Sequence, residues 1–237
     1  MAQGKKLNFS KGFRDGLPIG LGYLSVSFAF GMMASTGGLP IWATIAISMT
    51  NLTSAGQIAG LGLIFAGGSF FEMALTQLVI NMRYALMSLS LSQKVDEGVT
   101  LPHRLAIAFG NTDEIFAVAS AQPGEVGKSY LYGLLIIPYV GWTLGTALGA
   151  IAGQALPQSL CSALNIMIYG MFLAIFIPPA KHFPPVLKVV ILAVFLSCLF
   201  TWVPGINRIS GGFVIIICTL AAAGLGAMLF PIKEEGE

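Results

Sequence analysis

Cut at its clusters of glycine, proline and charge, the sequence falls into apolar blocks close to the length a helix needs to cross a bilayer, about 20 residues. The blocks run over 17–35, 40–65, 70–92, 130–153, 158–178, 186–203 and 209–230. Between them lie TGGLP (36–40), AGGSF (66–70), SQKVDEGVTLPHR (92–104), AQPGEVGKS (121–129), GQALP (153–157), PPAKHFPP (178–185) and PGINRISGG (204–212). An eighth segment, LAIAFGNTDEIFAVASA (105–121), is apolar at both ends and carries Asp113 and Glu114 in its middle. Only 9% of the residues are charged, against roughly a quarter in soluble domains. The fold class expected is an all-α polytopic membrane protein, a single integral membrane domain of about 6–8 transmembrane helices.

The charges report orientation. Lys5, Lys6, Lys11 and Arg14 precede a first block longer than a signal-peptide core and without a clear cleavage site, so it reads as a retained helix with a cytoplasmic amino terminus. If 40–65 then crosses completely and 105–121 does not, Lys94, Arg104, Lys128, Lys181 and Lys188 all fall on the outer side. Two arrangements relieve this. Either 40–65 is a broken, re-entrant segment with its break near 48–57, or 105–121 is an extra crossing with a polar centre. Both place irregular backbone at membrane depth, which is tolerated only where protein or a cavity surrounds it.

An internal duplication is also suggested. GMMASTGGLPIWATIAIS (31–48) resembles GAIAGQALPQSLCSALN (149–165), and aligning Pro40 with Pro157 gives an offset of 117 residues. That offset lays the first block over 130–153 and implies repeats over 13–121 and 130–230, an arrangement frequent in transporters. Cys161, Cys198 and Cys218 lie inside apolar blocks without metal-like or paired spacing and read as packing residues. There is no nucleotide loop, zinc signature or nucleophile elbow, so no catalytic residue, metal or cofactor is expected, and nothing points to nucleic acid. His103 and His182 fall in charged, proline-flanked stretches where a solvated role is expected.

Three polar islands remain. The first is SMTNLTSAGQIAG (48–60). Unwound backbone there would expose N–H groups at one half-helix start and C=O groups at the other's end, suiting the two charges of a zwitterion. Thr53 and Ser54 can cap the second half-helix, Gly56 permits close approach, and Asn51 and Gln57 offer donors and acceptors; the alternative is that such small polar residues only mediate helix packing. The second island holds Glu72 and Arg83, eleven residues apart on one block and hence about 16 Å apart on a helix, too far to pair. Each needs another partner, Glu72 otherwise being a solvated rim residue and Arg83 snorkelling to the headgroups. The third is GNTDEIF (110–116), where Asn111, Thr112 or Asp113 could cap a helix, or Asp113 or Glu114 could carry a coupling proton.

GLPIGLGYLSVSFAFGMMA (16–34), SAGQIAGLGL (54–63), INMRYALMSLSL (80–91) and TDEIFAVA (112–119), in this order, resemble the AzlC family of bacterial branched-chain amino acid exporters over roughly residues 13–226. The resemblance implies an inner-membrane exporter of valine, leucine or isoleucine, with some members handling methionine, working with a small AzlD-like membrane subunit. It picks out Pro18, Gly20, Gly22, Tyr23, Ser54, Gly56, Gln57, Asn81, Arg83, Asp113 and Glu114. Where many members have His after the arginine this chain has Tyr84, which weakens a proton relay at that position.

The expected function is thus secondary export of hydrophobic amino acids. The break at 48–60 would bind the charged ends, with Pro18, Gly22, Tyr23, Asn51, Thr53, Ser54, Gly56, Gln57, Asn81 and Arg83 lining the substrate path. Phe28 and Phe30 would receive the branched tail, and Glu72, Asp113 and Glu114 are the candidates for coupling, with H+ the candidate ion. A non-transporting scaffold subunit and a passive channel for small zwitterions remain alternatives.

Overall fold

The computed structural model describes residues 7–153 and 177–230 and, between them, 155–157, 159, 166, 170 and 173. Block 158–178 and Cys161 therefore lie largely or wholly outside the described residues. The helices are α1 (Phe9–Thr36), α2 (Ile41–Thr50), α3 (Ser54–Phe65), α4 (Phe70–Ser92), α5 (Leu101–Phe109), α6 (Asp113–Ser120), α7 (Lys128–Ala152), α8 (Pro184–Trp202) and α9 (Gly211–Leu229), with a 3₁₀ turn at Ile206–Arg208. No strand occurs among the described residues beyond one isolated bridge between Val95 and Val126. Helices α1, α7, α8 and α9 are long and apolar enough to cross a membrane, and α4, with 23 residues, is about 34 Å long. The protein is an all-α, multi-pass membrane protein, and its helix ends fall close to the expected blocks.

Helix α1 starts eight residues before its apolar block. Asn8 accepts the Lys11 N–H at 2.9 Å and caps it, and the charged first turns dock through Gly12 and Gly16. Lys11 pairs with Asp15 at 2.6 Å, and the Tyr130 hydroxyl donates to the same carboxylate at 2.8 Å. Both apolar segments that the loop charges offered as alternative irregular elements contain a break. Residues 51–53 separate α2 from α3, with Asn51 extended at φ −145°, ψ 107°, and residues 110–112 separate α5 from α6.

Contacts divide the chain into two compact units, Met1–Gln57 with Asn81–Ile168, and Ile58–Ile80 with Tyr169–Glu237. Neither coincides with the halves 13–121 and 130–230. In the first unit α1 and α7 pack directly backbone to backbone. A Cβ on Gly31 would stand 2.1 Å from the Thr146 carbonyl oxygen, and one on Gly149 only 1.9 Å from that of Phe28. Tyr130 lies opposite Gly12, Ile137 opposite Gly20 and Thr146 opposite Gly31, offsets of 118, 117 and 115 residues. The two helices are therefore parallel, in a register near the 117-residue offset read from the sequence.

Parallel packing constrains topology. If α1 and α7 cross in one direction, an odd number of crossings separates them. With α4 as one, the broken pairs α2–α3 and α5–α6 either both cross or both return to their side of entry. The mixed arrangement, which stranded the loop lysines, is ruled out. Lys94 and Arg104 also have local partners: Lys94 donates to the Ser120 carbonyl at the end of α6, and Arg104 to Ser92 and Val99 carbonyls at 3.2 and 2.9 Å. Cations at helix carboxyl ends oppose the helix dipole favourably.

In the second unit α8 and α9 pack together, Val189 of α8 meeting Gly226 of α9. No residue of α8 is buried, as expected of an apolar surface facing lipid. Glu72, in the first turn of α4, is only 4% exposed. Its carboxylate accepts hydrogen bonds from the Ser210 hydroxyl and, at 3.0 Å, the Gly212 N–H, so it caps the amino end of α9 instead of standing solvated at a rim.

Two measurements check this architecture. Gly149→Ala is expected to destabilise the purified protein by about 1–3 kcal/mol through overpacking, whereas Gly62→Ala, whose added methyl meets nothing within 4 Å, should not lower the melting temperature. Single cysteines at Thr36 and Ala155, just beyond or at the carboxyl ends of α1 and α7 in a background lacking the native thiols, should react with an impermeant reagent from one side of the membrane only, the same for both.

Candidate functional site

Half-helices of 10 and 12 residues, or 9 and 8, are about 12–18 Å long and leave terminal polar groups inside the membrane, where each must find a partner. At the first break Gln57 supplies them. It is 3% exposed, and its Nε2 donates to the Asn51 carbonyl at 2.5 Å, the Ser48 hydroxyl at 3.3 Å and the Ile47 carbonyl at 3.4 Å. The Tyr139 hydroxyl takes the Met49 carbonyl at 3.0 Å, and Ser48 is hydrogen-bonded to Thr146 of α7 at 2.7 Å. Thr53 caps α3 by accepting the Gly56 N–H at 3.3 Å. Because two carbonyls fix which way the Gln57 amide faces, its Oε1 is left buried without a hydrogen-bond partner.

The second break is clamped by α1 and α4. Tyr23 of α1 donates to Glu114 Oε2 at 2.5 Å, and its oxygen accepts from the Thr112 hydroxyl at 2.6 Å. Thr112 stands at the cap position of α6, but its hydroxyl makes no bond to an N–H of that helix. Asn111 donates to Ser88 of α4 at 3.0 Å. Arg83 finds its partner here, Nη1 lying 2.9 Å from Asp113 Oδ2, with the two side chains 43% and 38% exposed.

Through α4 the two breaks are joined. Arg83 Nη2 donates to the Tyr84 hydroxyl at 3.1 Å, with its guanidinium over the same ring, and Tyr84 donates to Thr53 at 3.4 Å. A continuous polar chain thus runs Asp113, Arg83, Tyr84, Thr53. Trp142 of α7 meets Tyr23 edge-on at 5.3 Å, its buried indole N–H without an acceptor. Beside the second break an open cleft of about 170 Å³ is lined by Ser88, Leu91, Ser92, Val95, Arg104, Ile107 and Asn111 among others.

The structure thus brings together, in the first unit, Tyr23, Asn51, Thr53, Gly56, Gln57, Arg83, Asp113 and Glu114. Ser54 opens α3 beside them and Asn81 lies on α4 two residues before Arg83, while Pro18 and Gly22 are on the exposed face of α1. Glu72 belongs to the second unit. Phe30, expected to receive a substrate tail, is 2% exposed and packed into the core, so it offers no open surface. His103 is in the first turn of α5, not in a solvated loop, with Nδ1 2.9 Å from the Tyr132 hydroxyl. Sequence reading missed Ser48 as a link to Thr146, Tyr84 as the link between breaks, and Ser88 and Trp142. A hydroxyl or indole in an apolar helix carries no signal that separates them from packing residues.

The model of the family described as AzlC protein matches residues 18–156. Inner membrane protein YgaZ of Escherichia coli K12 is 29% identical over 70% of this chain and 71% of its own length. An uncharacterized membrane protein of Archaeoglobus fulgidus is 33% identical over 75% and 78%, and one of Helicobacter pylori 24% over 73% and 78%. No solved structure matches.

The site gives a stability prediction. Gln57→Leu leaves the Ile47 and Asn51 carbonyls without their donor and should lower stability by about 1–3 kcal/mol, read by thermal unfolding in detergent. Tyr84→Phe, which removes only the hydroxyl between Arg83 and Thr53, should cost at most about 1.5 kcal/mol.

Proposed function

This chain belongs to the AzlC family, and from that membership together with the broken helices of its first unit we propose that it is a secondary transporter exporting hydrophobic amino acids. Valine, leucine and isoleucine are the first candidates and methionine the next, carried across a bacterial inner membrane by a chain whose amino terminus is cytoplasmic. It works with a small AzlD-like membrane subunit. The observation that carries the reading is the polar chain from Asp113 through Arg83 and Tyr84 to Thr53, which joins the two helix breaks of the first unit. Broken helices are how transporters present helix ends to a charged substrate at membrane depth.

The cleft beside Asn111 supports an aliphatic side chain of modest size. Such a pocket separates side chains differing by one methylene by only about 1–3 kcal/mol, so overlapping substrates are expected. For coupling, H+ is the proposed ion and Glu114 the proposed carrier. Among the described residues no basic side chain pairs with it, whereas Asp113 is engaged by Arg83.

Cells carrying this chain with its small partner should lose isotopically labelled valine or isoleucine faster than cells with empty vector, and equal rates would overturn the proposal. Saturation of that efflux separates a carrier from a passive channel. Gln57→Ala and Arg83→Ala should cut flux in reconstituted vesicles while the two subunits still assemble; a scaffold predicts the reverse. Glu114→Gln should abolish the response of efflux to an imposed pH gradient yet retain exchange of labelled for unlabelled substrate.

A further inference from the structure

Arg83 and Asp113 form a single-contact ion pair, one nitrogen to one oxygen at 2.9 Å, with both side chains more than a third exposed. A structural ion pair buried in a membrane domain would be expected to use both arms of the guanidinium on the carboxylate and to shut water out. Here the second arm turns away to the Tyr84 hydroxyl. Neither charge has a second partner of opposite sign among the described residues, since Glu114 is held by Tyr23 and the other ion pair, Lys11 with Asp15, lies at the start of α1. The pair is therefore open on one side and readily exchanged, but either member left alone would be an uncompensated charge at membrane depth.

We propose that this pair stands in for the substrate: in the loaded carrier the α-carboxylate of a zwitterionic amino acid takes Arg83 and its ammonium takes Asp113. The inference rests on the transport reading above and deepens it by assigning both substrate charges. It also reassigns Asp113 from proton coupling to ammonium recognition. A zwitterion brings two opposite charges separated by about the length of the contact it replaces, so all four charges remain compensated. An acid lacking the ammonium would leave Asp113 unpaired, and an amine lacking the carboxylate would leave Arg83 unpaired. The site thus reads the presence of both groups, whatever the side chain.

The test is equilibrium binding to the full chain, co-reconstituted with its small partner subunit in lipid nanodiscs, of three ligands that share one branched tail: valine, 3-methylbutanoate without the ammonium, and isobutylamine without the carboxylate. The unmutated protein should bind valine at least about tenfold more tightly than either analogue. Equal binding of valine and one analogue overturns the proposal without any variant. Asp113→Asn should then prefer 3-methylbutanoate to valine, and Arg83→Gln should prefer isobutylamine to valine. A pair with only a structural role predicts proportional losses for all three ligands, and an unchanged ranking in either variant overturns the assignment. Arg83→Gln/Asp113→Asn, which leaves no lone charge, should melt near the unmutated protein and bind all three ligands with similar weak affinity. If it keeps the valine preference, the pair does not read the substrate. Absence of binding by any of the three to the unmutated protein overturns this proposal and the transport reading together, whereas efflux with unaltered ligand rankings overturns this one alone.

Discussion

Side chains are missing along the contact between α1 and α7, and much of the first unit depends on that. Gly12, Gly16, Gly20 and Gly31 on one helix and Gly133, Gly141, Gly145 and Gly149 on the other let the backbones meet. Helices in lipid gain little from the hydrophobic effect and associate through such close packing. The parallel register makes both helices cross in the same direction, and the chain between them must return an odd number of times. Continuous helix α4 supplies one return, and the two remaining segments are both broken. Both breaks, at 51–53 and 110–112, thus lie in the unit that α1 and α7 organise, and the helix ends they leave give that unit its chemistry.

Those ends are resolved in two ways. Where a helix ends in carbonyls, donors cover it: Gln57 and Tyr139 at α2, Lys94 at α6 and Arg104 at α4. Where a helix begins in the breaks, the provision is thinner. Thr53 covers one N–H of α3, and the hydroxyl at the cap position of α6 is drawn off by Tyr23. The amino ends of α3 and α6 are consequently the less satisfied ones, and they are the ends linked through Arg83 and Tyr84.

Much of this was legible as polarity out of place. An apolar segment has no packing reason to hold Asn51, Thr53 and Gln57 together, and the loop lysines left either 40–65 or 105–121 as the irregular element; both carry a break, at 51–53 and 110–112. The need of Arg83 for a partner beyond Glu72 followed from helix rise alone. What was not legible lies in three dimensions. Tyr84 marked a departure from the family's pattern and gave no hint of contact with Thr53. Glu72 was read as needing a partner or standing at a solvated rim, but that a second helix would bring Ser210 and Gly212 to it depends on tertiary contacts that no local pattern encodes. Likewise the charges Lys11, Arg14 and Asp15 end the apolar run at Leu17, while the glycine stripe that carries α1 back to Phe9 belongs to its packing against α7.

The adjacency of Asp113 and Glu114 acquires its meaning from helix geometry. Successive residues on an α-helix point about 100° apart, so the first turn of α6 directs one carboxylate to Arg83 on α4 and the other to Tyr23 on α1. The turn is only as mobile as both contacts allow. A substrate that displaced Asp113 from Arg83 would free one of the two, and the position of α6 would then be set by Tyr23 and Glu114 alone. Protonation of Glu114 would alter the second contact, because a neutral carboxyl accepts the phenol's hydrogen bond less strongly than a carboxylate does. Substrate and proton would in this way act on one short helix from its two sides, and their coupling needs no direct contact between them.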